Sequence, residues 1–290
     1  TAALRFGELL AEKFGGKYSV KVYPSNQLAS GNQQTAVEMV QYGDIEMSMF
    51  GMTVLSFLDD RLAVVNMPFL INSTEEADRY IYDENAESRK ALDDILAENG
   101  MISVAFGEAG FRQITNSKRE IRKPEDLKGL KIRVLGTCPM FFDLYGQLGA
   151  DPTAMNMSEV FSALQQGVVD GQENAVDTAK SYRLSEVQKY ITCWNGVYDA
   201  VAFVASPVFW EKVGDDAAMI QECAVQAMAE QVASCRASEA SILEEFAQTM
   251  TVTHLTEEET AAFEAAVEPV YDIWTDKIGA DLLAKFGYQK

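Results

Sequence analysis

From Asp215 to Thr249 the chain runs without a proline or a glycine and is rich in alanine. That stretch suits roughly 30 residues of unbroken helix, about 45 Å at the usual rise per residue. With 290 residues at 48% hydrophobic content there is ample material for two cores, so two lobes are the default, and a helix this long can span both. A second helix is expected after Thr256-Glu257-Glu258-Glu259, which reads as a capping box, with Phe263, Val267 and Val270 on one face.

The N-terminal half alternates between helical and strand periodicity. Leu4, Phe6, Leu9, Leu10 and Phe14 make a helical stripe that stops at Gly15-Gly16. Tyr18 to Tyr23 alternates as a strand, Thr35 to Tyr42 is a helix ended by Gly43, and Ile45 to Phe50 is a strand. Strand, helix and strand with short links predict a βαβ unit in a mostly parallel sheet. The pattern recurs as a helix over Glu75 to Asn99, strands over Ile102 to Phe106 and Leu130 to Val134, and helices over Cys138 to Leu148 and Ser158 to Gln166. Ser158 is the cap expected for the last of these, and Gly167 its stop. Two sheets are expected.

The net charge is −20, yet eight of the 24 Lys and Arg lie between Arg112 and Arg133 against three acids. Such a local cationic island in an acidic protein suits a small anion. Nucleic acid needs a basic face many phosphates long, and the overall charge repels both it and an anionic membrane surface. No apolar run has the length of a membrane helix. Chemistry is equally constrained. His254 is the single histidine and precedes a helix cap, no phosphate-binding glycine loop occurs, and no His, Cys and carboxylate cluster has metal spacing, so no cofactor or metal is expected. Cys138, Cys193, Cys223 and Cys235 have no C-x-x-C spacing, and Cys223 and Cys235, about 18 Å apart on one helix, cannot bridge each other. A carboxylate-based hydrolase is the remote alternative to a binding protein.

Within Leu127-Lys128-Gly129-Leu130-Lys131-Ile132-Arg133-Val134, the strand alternation places Ile132 and Val134 on one face and Lys131 and Arg133 on the other. If the second face lines a cleft, Arg133 offers a rigidly held planar fork matched to a carboxylate. Gln172, Glu173 and Asn174 follow about 40 residues later in Val168-Val169-Asp170-Gly171-Gln172-Glu173-Asn174.

These segments, with Tyr23-Pro24-Ser25-Asn26-Gln27-Leu28, Met67-Pro68-Phe69-Leu70, Gly110-Phe111-Arg112-Gln113-Ile114-Thr115-Asn116-Ser117, Ser158-Glu159-Val160 and Glu186-Val187-Gln188-Lys189-Tyr190, resemble the extracytoplasmic solute-binding proteins of tripartite ATP-independent periplasmic (TRAP) transporters. The resemblance spans nearly the whole chain. It implies a two-lobed, periplasmic-binding-protein-like α/β fold, with mostly parallel sheets flanked by helices and a long helix under both lobes. It implies lobes of 1–109 plus 199–237 and 110–198 plus 238–290. The protein would be a periplasmic monomer, its signal peptide removed, handing an organic acid to the membrane permease subunits. Arg133 is then the carboxylate anchor, with Arg112 and Asn174 assisting. Met157, Gly136, Thr137, Cys138, Gln172, Tyr198, Asn195 and Glu108 are further pocket candidates. The polar residues among them favour a sugar acid, a uronate or aldonate; a C4-dicarboxylate, a sialic acid or a 2-oxo acid are alternatives. Two departures from the family stand out: its first strand has no counterpart before Thr1, and Ala175 replaces a common proline.

Overall fold

The computed structural model describes residues 1–289. Seven strands form one mixed sheet: β1 Met47–Gly51, β2 Ile102–Asn116, β3 Lys131–Val134, β4 Asp151–Ala154, β5 Gly171–Ala175, β6 Tyr190–Ala205 and β7 Thr251–His254. Their order is β1-β6-β2-β5-β3-β4, with β7 paired to β6. Three pairings are antiparallel and three parallel, so the sheet is mixed rather than mostly parallel.

The two long strands explain why one sheet replaces the two expected. β2 has 15 residues and β6 has 16, and they pair from Ile102↔Ala205 through to Asn116↔Tyr190. At one end β6 carries β1 on Val201 to Ala205. At the other, β2 carries β5 on Arg112 to Asn116, and β6 carries β7 on Tyr190 to Cys193. The same pair therefore crosses the whole molecule. Register shifts at Ser103/Ala105, Glu108/Gly110 and Arg112/Ile114 interrupt it, and Gly110 sits at φ 95, a conformation open mainly to glycine. The expected strand over Ile102 to Phe106 continues to Asn116, the ladder being shifted at Gly110 instead of ended there.

The long helix occupies Ala217–Phe246, 30 residues. Its first turns bury Ile220, Cys223, Ala224, Ala227 and Met228 in a core shared with Phe6, Leu9 and Phe203. Its last turns bury Ile242 and Phe246 in a separate core with Val160, Leu164 and Leu184. It thus bridges two apolar clusters, with β2 beneath its middle. The helix Glu257–Ile278 carries the predicted capping box, Thr256 N–H donating to Glu259 Oε2 at 2.8 Å and Glu259 N–H to Thr256 Oγ1 at 3.2 Å. It buries Phe263, Val267, Val270 and Trp274 in the largest core.

Three local expectations are corrected. Tyr18 to Tyr23 is irregular and largely exposed and joins no ladder among the described residues, so the first βαβ unit does not form. That segment lines one side of a groove of about 660 Å³, with Asp44 to Met49 also lining it. The helix expected over Glu75 to Asn99 is broken: a π turn at Asp78–Tyr82 is followed by an Asx turn, Asn85 N–H to Asp83 Oδ1 at 2.9 Å, before Glu87–Glu98. The helix expected from Ser158 starts at Met157 behind Asn156, so Ser158 is not its cap.

Candidate carboxylate-binding site

β3 is four residues long, and its face pattern is as predicted only in part. Ile132 and Val134 are buried, Lys131 is exposed, and Arg133 is at 0% exposure. Arg133 lies between β4 and β5, opposite Thr153 and Gln172. Its Nε and Nη2 donate to the Met155 carbonyl at 2.9 and 2.7 Å. Nη1 has no hydrogen-bond partner among the described residues. Burial pulls the guanidinium down to about 10, only partly offset by Glu173. A buried guanidinium with one idle N–H edge is a donor set awaiting an acceptor, since unmet buried donors are costly.

Arg112, on β2, has the opposite surroundings. Its Nε and Nη2 clasp the Glu173 carboxylate, Nη1 donates to Asp199 Oδ2 at 2.8 Å, and Nη2 donates to Asn174 Oδ1 at 2.9 Å. Burial opposes its charge, but Glu173 and Asp199 hold it above the ordinary guanidinium value. Burial pushes the Glu173 carboxyl up, against the pull of Arg112 and Arg133.

A neutral polar chain runs beside this pair. Asn174 Nδ2 donates to Gln172 Oε1 at 2.6 Å and lies 3.7 Å from Met157 Sδ, and Gln172 Nε2 donates to Thr115 Oγ1 at 3.0 Å. Thr137 Oγ1 reaches the Thr53 carbonyl at 3.3 Å, joining the loop after β3 to the short helix after β1. Next to it Cys138 is fully buried, and burial pushes its thiol up to about 12, so it packs as an apolar group. Gly136 is exposed in the same loop. The helix Val176–Ser181 begins behind Ala175, which leaves the Asn174 amide in the polar chain.

The remaining three candidates lie apart from Arg133. Glu108 and Tyr198 belong to a cluster where β2 and β6 cross: Glu108 accepts from Arg236 Nε at 2.7 Å, and the Tyr198 hydroxyl meets that of Tyr82 at 2.8 Å. Asn195 is exposed, at φ 50, its Oδ1 accepting from Gln113 Nε2 at 2.6 Å.

Four functional candidates were missed. Asp199 accepts from Thr53 Oγ1 at 2.9 Å, Thr53 N–H at 3.3 Å and Asn66 Nδ2 at 3.2 Å, besides Arg112. It was detectable as the lone acid in the apolar run Tyr198 to Pro207, because a charge inside such a strand must be paired. Glu173 lay between two named candidates, but carboxylates are too common in this chain for one to stand out. Thr53 gave no signal. Tyr145, fully buried with a hydroxyl that has no partner, looked like any core aromatic of its helix.

The description matching residues 1–277 is that of the bacterial extracellular solute-binding proteins, family 7 (DctP), a family of binding proteins rather than enzymes. The fold is similar to a TRAP periplasmic solute-binding protein from Ralstonia eutropha with bound (S)-2-acetolactate, at 34% identity and TM-score 0.91, over 98% of this chain and 92% of that one. It is also similar to one from Roseobacter denitrificans with bound β-D-glucuronate, at 26% identity and TM-score 0.92, over 100% and 94%. In sequence it is 32% identical over 203 residues to the 2,3-diketo-L-gulonate-binding periplasmic protein YiaO of Escherichia coli, 70% of this chain but 60% of that protein's length. β3 with Arg133 and β5 with Gln172, Glu173 and Asn174 pair side by side, and the chain belongs to the DctP family of extracellular solute-binding proteins.

Proposed function

We propose that this protein is the periplasmic capture subunit of a TRAP transporter, binding a sugar acid, a uronate or aldonate, through its carboxylate on Arg133. The observation that carries the reading is the idle Nη1 of Arg133, a buried cation with two other donors fixed on Met155 and no ion pair among the described residues. A carboxylate there restores the lost solvation with a charge-assisted bond. Asn174, Gln172 and Thr137 supply neutral partners for hydroxyl groups, Arg112 holds Asn174 in place, and Met157 supplies an apolar wall. The relatives that carry glucuronate or are named for diketogulonate support this ligand class.

The lobes, residues 1–109 with 199–237 and 110–198 with 238–290, close over the ligand as a monomer. No helix among the described residues is long and apolar enough to cross a membrane, so passage across it falls to the permease subunits. The protein carries the acid without cofactor or reaction. A thermal-shift screen over uronates, aldonates, dicarboxylates, sialic acid and 2-oxo acids tests this. A rise in Tm with uronates or aldonates at submillimolar concentration is expected, since a ligand that binds only the native state stabilises it. No shift with any organic acid defeats the reading.

A further inference from the structure

The two arginines that flank β5 are unequally compensated. Of the three buried arginines, Arg89 pairs with Asp93 and Arg112 with both Glu173 and Asp199, while Arg133 pairs with no acid among the described residues. The pocket therefore has one free cation, and its other cation already faces two carboxylates. We propose that the site is built for an acid bearing a single carboxylate, and that Asp199 is the residue setting this limit. The inference rests on Arg133 being the anchor.

A ligand carboxylate on Arg133 uses the available positive charge. A second carboxylate would have to approach Arg112, whose Nε, Nη1 and Nη2 are committed to Glu173, Asp199 and Asn174. It would lie beside two buried acids, where little water screens the repulsion. A hydroxyl or carbonyl in that place meets no such barrier. It finds amides at Asn174 and Gln172 and the Tyr145 hydroxyl, which has no partner among the described residues.

Asp199 cannot step aside. Both its oxygens are held, Oδ1 by the Thr53 N–H and Asn66, Oδ2 by the Thr53 hydroxyl and Arg112, and it is 1% exposed. Gly51 lets it come this close, since a Cβ there would lie 3.0 Å from Oδ2. Moving the carboxylate strands several buried donors at once.

Calorimetry on acid pairs that differ only at the far end tests the proposal: D-erythronate against meso-tartrate, D-gluconate against D-glucarate, and 2-hydroxybutyrate against malate. The monocarboxylate of whichever pair binds is expected to be favoured about 100-fold or more, the scale of buried like-charge repulsion. Asp199→Asn keeps the shape and removes one of the two buried negative charges beside Arg112, and is expected to narrow that preference by at least about tenfold. A dicarboxylate bound as tightly as its partner by the unmodified protein overturns the proposal, independently of whether the variant folds. An unchanged preference in a folded Asp199→Asn overturns the role of that residue. Binding without discrimination that Arg133→Ala abolishes leaves the anchor standing and removes only this inference; no binding by any of the six acids removes both.

Discussion

Arg112 and Arg133 stand on strands either side of β5, so that Glu173 lies between them and acts on both, yet only Arg112 is ion-paired to it. Arg112 is a fixed part of the scaffold and Arg133 is the charge left for the ligand. Arg133→Ala is therefore expected to lose about 2–5 kcal/mol of binding, roughly 30- to several-thousand-fold. Arg133→Lys should bind nearly as poorly, because an ammonium cannot keep two donors on Met155 and a third on the carboxylate. Titration calorimetry with the acid found in the thermal-shift screen measures this; near-normal affinity in Arg133→Ala rules out the anchor.

The same isolation has a cost without ligand. Burial lowers the Arg133 guanidinium to about 10, below its ordinary value, so its charge opposes folding at neutral pH. Arg133→Met removes that penalty and fills similar volume, while leaving the Met155 carbonyl without its two donors. The ligand-free variant is expected to match the parent or exceed it by up to about 2 kcal/mol in urea unfolding, although it no longer binds. A variant less stable than the parent by more than about 1 kcal/mol would show that Arg133 is structural.

Much of this was legible in the chain because its signals were local. The long helix followed from an uninterrupted run of helix formers, the Thr256 capping box from a four-residue pattern, and Arg133 from alternation within a strand. Pairing was not local. Tyr18 to Tyr23 has the alternation of a strand, but a ladder needs a neighbour that no periodicity reveals. Glu173, Asp199 and Thr53 come from three separate elements and meet only through the register of β2, β5 and β6. The helix break at Asp83 to Ala86 hid because its Asx turn uses residues that also suit an exposed helix face.

The crossing of β2 and β6 holds a second buried charge cluster with its own pH signature. Glu108 is 4% exposed, accepts from Arg236 Nε, and is pushed up by burial against the pull of that arginine. Arg236 also grips Asp78 at 2.7 Å, tying the long helix to the Asp78–Tyr82 turn. A carboxyl raised in the folded state contributes stability that is full below its unfolded value, near 4.5, and is lost as pH rises through the folded value. Arg236→Ala removes the opposing pull and raises Glu108 further. The variant should lose about 2–4 kcal/mol at pH 8 and visibly less at pH 5 in urea unfolding. An equal loss at both pH values would mean that Glu108 does not titrate in this range.

Closure should be visible at the same crossing. Gly110 takes φ 95 at the bulge, and a Cβ on Gly107 would meet Met228 and Gln231 of the long helix at 2.4 and 2.6 Å. β2 therefore rests directly on the helix middle, where Gln231 bonds both the N–H and the carbonyl of Glu108 at 2.9 and 2.7 Å. With the helix as a fulcrum, closure is expected to bend the strands at Glu108 to Gly110 while Gln231 keeps them seated. Small-angle scattering should show a smaller radius of gyration when ligand saturates the protein. Gly110→Ala, strained at positive φ by about 1–2 kcal/mol, should weaken binding with Arg133 untouched, because the strain falls on the segment that bends. An unchanged radius with ligand bound, together with parental affinity in Gly110→Ala, would place the bending elsewhere in the chain.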